Sequence, residues 1–164
     1  MTEKKNEVLS EQDPQMENAD LQEGAEDGRK FNPMEMPNII VPRDGTEALK
    51  RAKMAAQVIA DNRGKDIVIL DLRQLTYVFD YFIIATGTSN RQLHAMSDAV
   101  DDLFEKDLKD QKLTTEGYRD SRWIVCDYGD VVVHLFEEET RDYFRLEDLW
   151  GSAERVEFTP SVLD

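Results

Sequence analysis

The stretch Gly87-Thr88-Ser89 stands where an apolar run ends and an amphipathic one begins. That is where the free backbone N–H groups of a helix start can cradle a phosphate. Nucleotidyl transfer uses a similar Gly-Ser turn but also needs paired carboxylates on a neighbouring strand to hold magnesium. The strands that follow offer no Asp-x-Asp. Asp127 and Asp130 lie across a turn in Asp-Tyr-Gly-Asp, where hydrogen bonds to the local backbone explain an Asp more simply. The glycine spacing of a P-loop or dinucleotide fingerprint is also missing. The only histidines, His94 and His134, are not spaced i, i+4 for metal ligation. Cys126, the single cysteine, has no electropositive neighbour in sequence and reads as a small core hydrophobe. No serine stands with a base and an orienting group. The expectation is a protein that is not an enzyme and holds no metal and no cofactor.

The elements that carry these residues follow from periodicity. Leu49, Ala52, Ala56 and Ile59 recur at helical spacing, with Thr46 as N-cap and Gly64 closing the C-terminus. Ile67–Leu70 and Asp80–Thr86 read as strands. Leu93, Met96, Val100, Leu103 and Phe104 mark an amphipathic helix whose start is set by the capping-box pair Ser89 and Gln92. A weak strand is expected at Gly117–Asp120, then strands at Trp123–Asp127 and Asp130–Phe136, and a last helix at Arg141–Trp150. The order α-β-β-α-β-β-β-α predicts an α/β (α+β) fold, a mixed sheet of about five strands packed with helices.

Composition bounds the rest. The chain has 164 residues, 20 Lys plus Arg against 35 Asp plus Glu, and a net charge of −15. This balance argues against DNA or RNA as a broad partner and favours a basic one. No apolar run approaches the ~20 residues needed to cross a bilayer. Residues 1–44 hold 11 acidic and 5 basic residues, four prolines and one aromatic, so they read as a disordered acidic extension. Neither an Arg-rich, acid-poor transit peptide nor an apolar signal core is present, and a cytoplasmic location is expected. The folded domain is expected at 45–150, with 151–164 as a C-terminal tail.

With Tyr128-Gly129 as a two-residue loop, Asp127 would pair with Asp130 and Trp123 with His134. Alternation then puts Ile124, Cys126, Val131, Val133 and Leu135 on a wholly apolar face. The other face carries Trp123, Val125, Asp127, Asp130, Val132, His134 and Phe136. A helix could cover that mixed face, or it could serve as a docking surface, with the indole as anchor and the carboxylates selecting the partner.

Asp80-Tyr-Phe-Ile-Ile-Ala-Thr-Gly-Thr-Ser-Asn-Arg-Gln92, Glu116-Gly117, Trp123-Ile-Val-Cys-Asp-Tyr-Gly-Asp-Val-Val-Val-His134, and Arg141 with Tyr143 to Trp150 together resemble the Iojap-like ribosomal silencing factors. The resemblance runs from about Glu47 to Trp150. It implies a nucleotidyltransferase-like domain without catalytic carboxylates. It further implies binding to the large ribosomal subunit through its L-fourteen protein, a block on small-subunit joining, and lowered translation under nutrient limitation. Large-subunit assembly is the nearest functional variant, and a nucleotide-binding enzyme the more distant one. The family's contact region corresponds to Trp123, Asp127 and Tyr128. Charge and proximity in the hairpin add Asp130 and Glu116 to the expected partner-binding residues.

Overall fold

The computed structural model describes residues 45–120 and 122–161, so the reading of 1–44 as an acidic extension lies outside the described residues. Chain order is α1 (Thr46–Asp61), β1 (Lys65–Asp71), β2 (Tyr81–Gly87) and α2 (Asn90–Asp102), which runs on into a π-helical turn at Leu103–Asp107. Then come β3 (Thr114–Glu116), β4 (Trp123–Asp127), β5 (Val131–Glu137), α3 (Glu138–Phe144), α4 (Leu146–Leu149) and β6 (Glu154–Val156). The fold is mixed α/β. Its six-stranded sheet has the order β3-β4-β5-β2-β1-β6, with β2 and β5 parallel and every other neighbour antiparallel.

Every residue of β2 is buried, as expected for a central strand covered on both faces. On one face, Ala52, Ala55 and Ala56 let α1 approach the sheet closely, and Ile59 fills the space beside them. Leu93, Met96, Val100 and Phe104 bring α2 and the π turn onto the same layer, over Ile83, Ile124, Cys126, Val133 and Leu135. Each such aliphatic, fully withdrawn from water, contributes about 1.5–3 kcal/mol. The opposite face is a smaller cluster of Leu70, Leu72, Phe82, Ile84, Val132 and Phe136, closed at one end by Leu146 and Trp150.

Besides the N-cap of α1, which is Gly45 with Thr46 already helical, four expectations change. The strand read at Gly117–Asp120 lies earlier, at Thr114–Glu116, where the β-branched threonines are; Gly117, at φ +72°, ends it. The single last helix is broken at Arg145, which takes a left-handed φ of 47°. The segment from Gly151, read as a tail, contributes β6, whose residues pair with Ile69–Asp71 and raise the sheet from about five strands to six. The hairpin register also moves, because Tyr128 N–H donates to the Val131 carbonyl at 3.0 Å and the loop is Gly129-Asp130. Asp127 therefore pairs with Val132 and Trp123 with Phe136. Gly129 supplies the positive φ (+88°) that the first position of such a loop requires. The shift moves each partner by two residues, so the expected division into two faces survives it for the strand residues, but not for Asp130, which now lies in the turn and pairs with Arg51 of α1.

Candidate partner-binding face

Residues directly opposite in a ladder point to the same side of a sheet. Glu116 lies opposite Val125, Thr114 opposite Asp127, Val125 opposite His134, and Trp123 opposite Phe136. Trp123, Val125, Asp127, Glu116 and His134 thus share the face turned away from α1 and α2. Of the five residues expected to bind a partner, the structure brings three to this face: Trp123, Asp127 and Glu116.

Tyr128 and Asp130 are not among them. Because the loop begins at Gly129, Tyr128 sits in the ladder opposite Val131 and points to the helix side. It is buried there with its ring stacked on Phe104 (centroids 3.8 Å, 13°), and its hydroxyl donates to Asp101. Burial, together with the Asp101 carboxylate, raises the hydroxyl's pKa far above the usual tyrosine range. This residue is core and not contact surface. The Asp130 carboxylate pairs with Arg51 of α1, which also holds Asp110, and its carbonyl accepts from the N–H groups of Asp80 and Tyr81 (2.8 and 3.0 Å). It fastens the hairpin turn to α1 and to the start of β2. Asp127 has a local duty as well, accepting the Gly129 N–H at 2.8 Å.

Trp123 is half-buried and stands at the end of a row of touching rings. Phe79 meets Phe82 at 5.2 Å, Phe82 meets His134 at 4.6 Å, and His134 meets Trp123 at 6.0 Å. Beyond Trp123 come Phe144 at 4.9 Å and then Tyr143, 5.1 Å further on. The row passes through the core at Phe82 and His134 and surfaces on α3, where Phe144 is 51% and Tyr143 81% exposed. The indole N–H donates to Nδ1 of His134 at 3.3 Å, so the ring proton of His134 is on Nε2. Burial among aromatic and aliphatic groups pushes the His134 pKa down to about 4, keeping the imidazole neutral.

Beside Trp123 a groove of about 440 Å³ opens between the β3–β4 loop and α3. Gly117 brings the loop against β4. A Cβ there would fall 2.0 Å from the Trp123 carbonyl, so the close approach requires glycine. The groove's other lining includes Asp120, Arg122, Glu139, Thr140, Tyr143 and Phe144. Glu116, Glu138 and Asp142 stand exposed nearby on the same two elements.

Tyr143 and Phe144 were not among the residues expected to bind a partner, although Tyr143 opens the last stretch of the family resemblance. Adjacent aromatics on a helix point about 100° apart, so one of them must leave the core face; that was the available signal. Arg141 holds α3 in place. Its guanidinium donates to Thr86 Oγ1 (2.7 Å), to the Asp66 carbonyl (2.8 Å) and to Glu147 (2.9 Å).

The turn Gly87-Thr88-Ser89 uses its donors within the chain. Gln92 Oε1 accepts both the Thr88 N–H and its hydroxyl at 2.8 Å, and Ser89 Oγ accepts the Gln92 N–H at 3.3 Å. The expected cap is thus present, and it already engages the N–H groups of Thr88 and Gln92. Cys126 is buried beside Ser97 Oγ at 3.3 Å, and burial pushes its thiol up to about 11, far from a reactive thiolate. Among the described residues no group of three or more His, Cys, Asp or Glu side chains could hold a metal ion. No described helix is long and apolar enough to cross a membrane.

Residues 45–163 match the family described as "Ribosomal silencing factor during starvation". A Bacillus subtilis protein named ribosomal silencing factor RsfS is 40% identical over 102 residues, covering 62% of this chain and 85% of the relative. A Mus musculus protein named mitochondrial assembly of ribosomal large subunit protein 1 is 32% identical over 111 residues, 66% of this chain and 49% of that one. A crystal structure of a Chromobacterium violaceum protein superposes with a TM-score of 0.60 at 36% identity, covering 69% of this chain and 92% of its own.

Proposed function

The chain belongs to the ribosomal silencing factor family, and from that premise we propose that it docks on the large ribosomal subunit by its Trp123 face. The partner on the subunit is a basic ribosomal protein, the L-fourteen protein to which the resemblance points. Once docked, the domain keeps the small subunit from joining and so lowers translation under nutrient limitation.

One observation carries this reading: an aromatic cluster of Trp123, Phe144 and the largely exposed Tyr143 opens to solvent among exposed carboxylates. Aromatic anchors ringed by charge are the usual energetic centre of a protein interface. The acidic surroundings and the net charge of −15 select a basic protein over ribosomal RNA. A specific interface of about 1,600 Å² in total is within reach of a domain this size. Exclusion then needs bulk alone and no chemistry.

The test is subunit joining followed by light scattering. Excess folded protein should suppress association of isolated subunits, and Trp123→Ala should lose both suppression and co-sedimentation with large subunits while remaining folded. Unimpaired joining in the presence of saturating protein overturns the proposal. A second reading, action on immature large subunits, is favoured by the name of the mouse relative. Capture of precursor particles in place of mature subunits would select it.

A further inference from the structure

We propose that the groove beside Trp123 is a receptor for a cationic side chain, an arginine or lysine, presented by the protein partner. This inference rests on the docking reading above and names what the site takes.

The groove has three kinds of wall. Trp123 and Phe144 touch at 4.9 Å and make an aromatic floor, with Tyr143 standing at the rim. Asp120 of the β3–β4 loop and Glu139 of α3 both line it, so a carboxylate-bearing residue stands on each of the two elements that form the groove. Neither is in an ion pair among the described residues, whereas Arg51, Arg73, Lys112 and Arg141 all are. Among the described residues Arg122 is the one cation lining the groove, and it too is in no such pair. Aromatic faces attract a cation through the ring quadrupole, and a guanidinium also stacks on them. Carboxylates converging on such a floor complete a charge-assisted site. An anion would face two carboxylates and only one arginine. A purely apolar side chain would leave both carboxylates desolvated without a partner.

Arg122 makes the proposal sharp, since it competes with an incoming cation but would assist an incoming phosphate. The experiment measures affinity of the full chain for purified large ribosomal subunits at low and physiological salt. Four variants are compared with wild type: the double variant Asp120→Asn/Glu139→Gln, Arg122→Gln, Trp123→Ala and Tyr143→Ser. The acidic double variant should bind roughly tenfold more weakly at low salt, with the gap narrowing as salt rises. Arg122→Gln should bind several-fold more tightly.

If the acidic double variant binds as well as wild type, or Arg122→Gln binds more weakly, the cation receptor is overturned; the second result assigns the groove to a nucleic-acid phosphate. Tyr143 is 81% exposed, so Tyr143→Ser keeps the fold and covers the case in which Trp123→Ala does not. If both aromatic variants bind normally, the docking face itself fails. If they lose binding while the charge variants behave as wild type, that face stands and only the cation receptor falls.

Discussion

His134 shows how one buried side chain couples stability to acidity. Unfolded, its imidazole takes up a proton near the ordinary 6.5; folded, it does so only near 4, because burial penalises the charged ring. Above 6.5 both states are neutral and the residue adds nothing to the pH dependence. Between 6.5 and 4 the unfolded chain binds more protons, so stability falls as pH falls, by up to about 3 kcal/mol. Denaturant titrations from about pH 7 to pH 4.5 should show this limb in the wild type and a shallower one in His134→Leu. Equal slopes would exclude the assignment. In the folded chain that proton arrives only near pH 4, where it removes the acceptor for the Trp123 indole, so the docking face should hold unchanged along the limb and change only at its acid end. The face assignments of Ile124, Cys126, Val133 and His134 were legible from alternation alone. Tyr128 was not: a hydroxylated aromatic beside a glycine reads equally well as a loop residue, and its partners Phe104 and Asp101 lie more than 20 residues away in sequence.

At the scale of elements, α3 owes its polar anchoring to one side chain, Arg141, beside the ring contact of Phe144 with Trp123. None of its residues is buried, yet it carries the outermost aromatics of the candidate site. Arg141 ties it to β2 through Thr86, to the β1 end through Asp66, and to α4 through Glu147. Arg141→Met leaves Glu147 and the Asp66 carbonyl without this donor and should cost about 3 kcal/mol. Adding Glu147→Leu should recover part of that loss, a coupling readable in a double-mutant cycle by urea denaturation. Simple additivity would argue against the pin. Helices α1 and α2 were readable from periodicity and from the Ser89 cap, because those signals are local. The break between α3 and α4 was not, since it falls on an arginine in a left-handed conformation where glycine or asparagine is the usual marker. Strand β6 was missed for a similar reason: three residues, Glu154–Val156, carry no pattern of their own and are ordered by pairing with β1.

For the whole molecule, charge acts with opposite signs at long and short range. A chain of −15 approaching a particle rich in RNA is repelled as a body, although the carboxylates at its groove attract a nearby cation. At physiological salt the Debye length is about 8 Å, so the body term fades before contact while the close pairs persist. Stopped-flow association with large subunits should therefore quicken as salt is raised from low to physiological, even as dissociation also speeds up. An association rate that falls with salt would mean that long-range attraction, and not repulsion, governs the encounter.

The ring row has a practical corollary. The chain holds two tryptophans, and both touch this row, Trp123 at its outer part and Trp150 against Phe82 behind it. Trp123 alone lines the groove, while Trp150 lies against the inner cluster. The protein therefore contains its own optical probe: intrinsic emission, compared with that of a Trp150→Phe variant, would follow occupation of the groove without any attached dye.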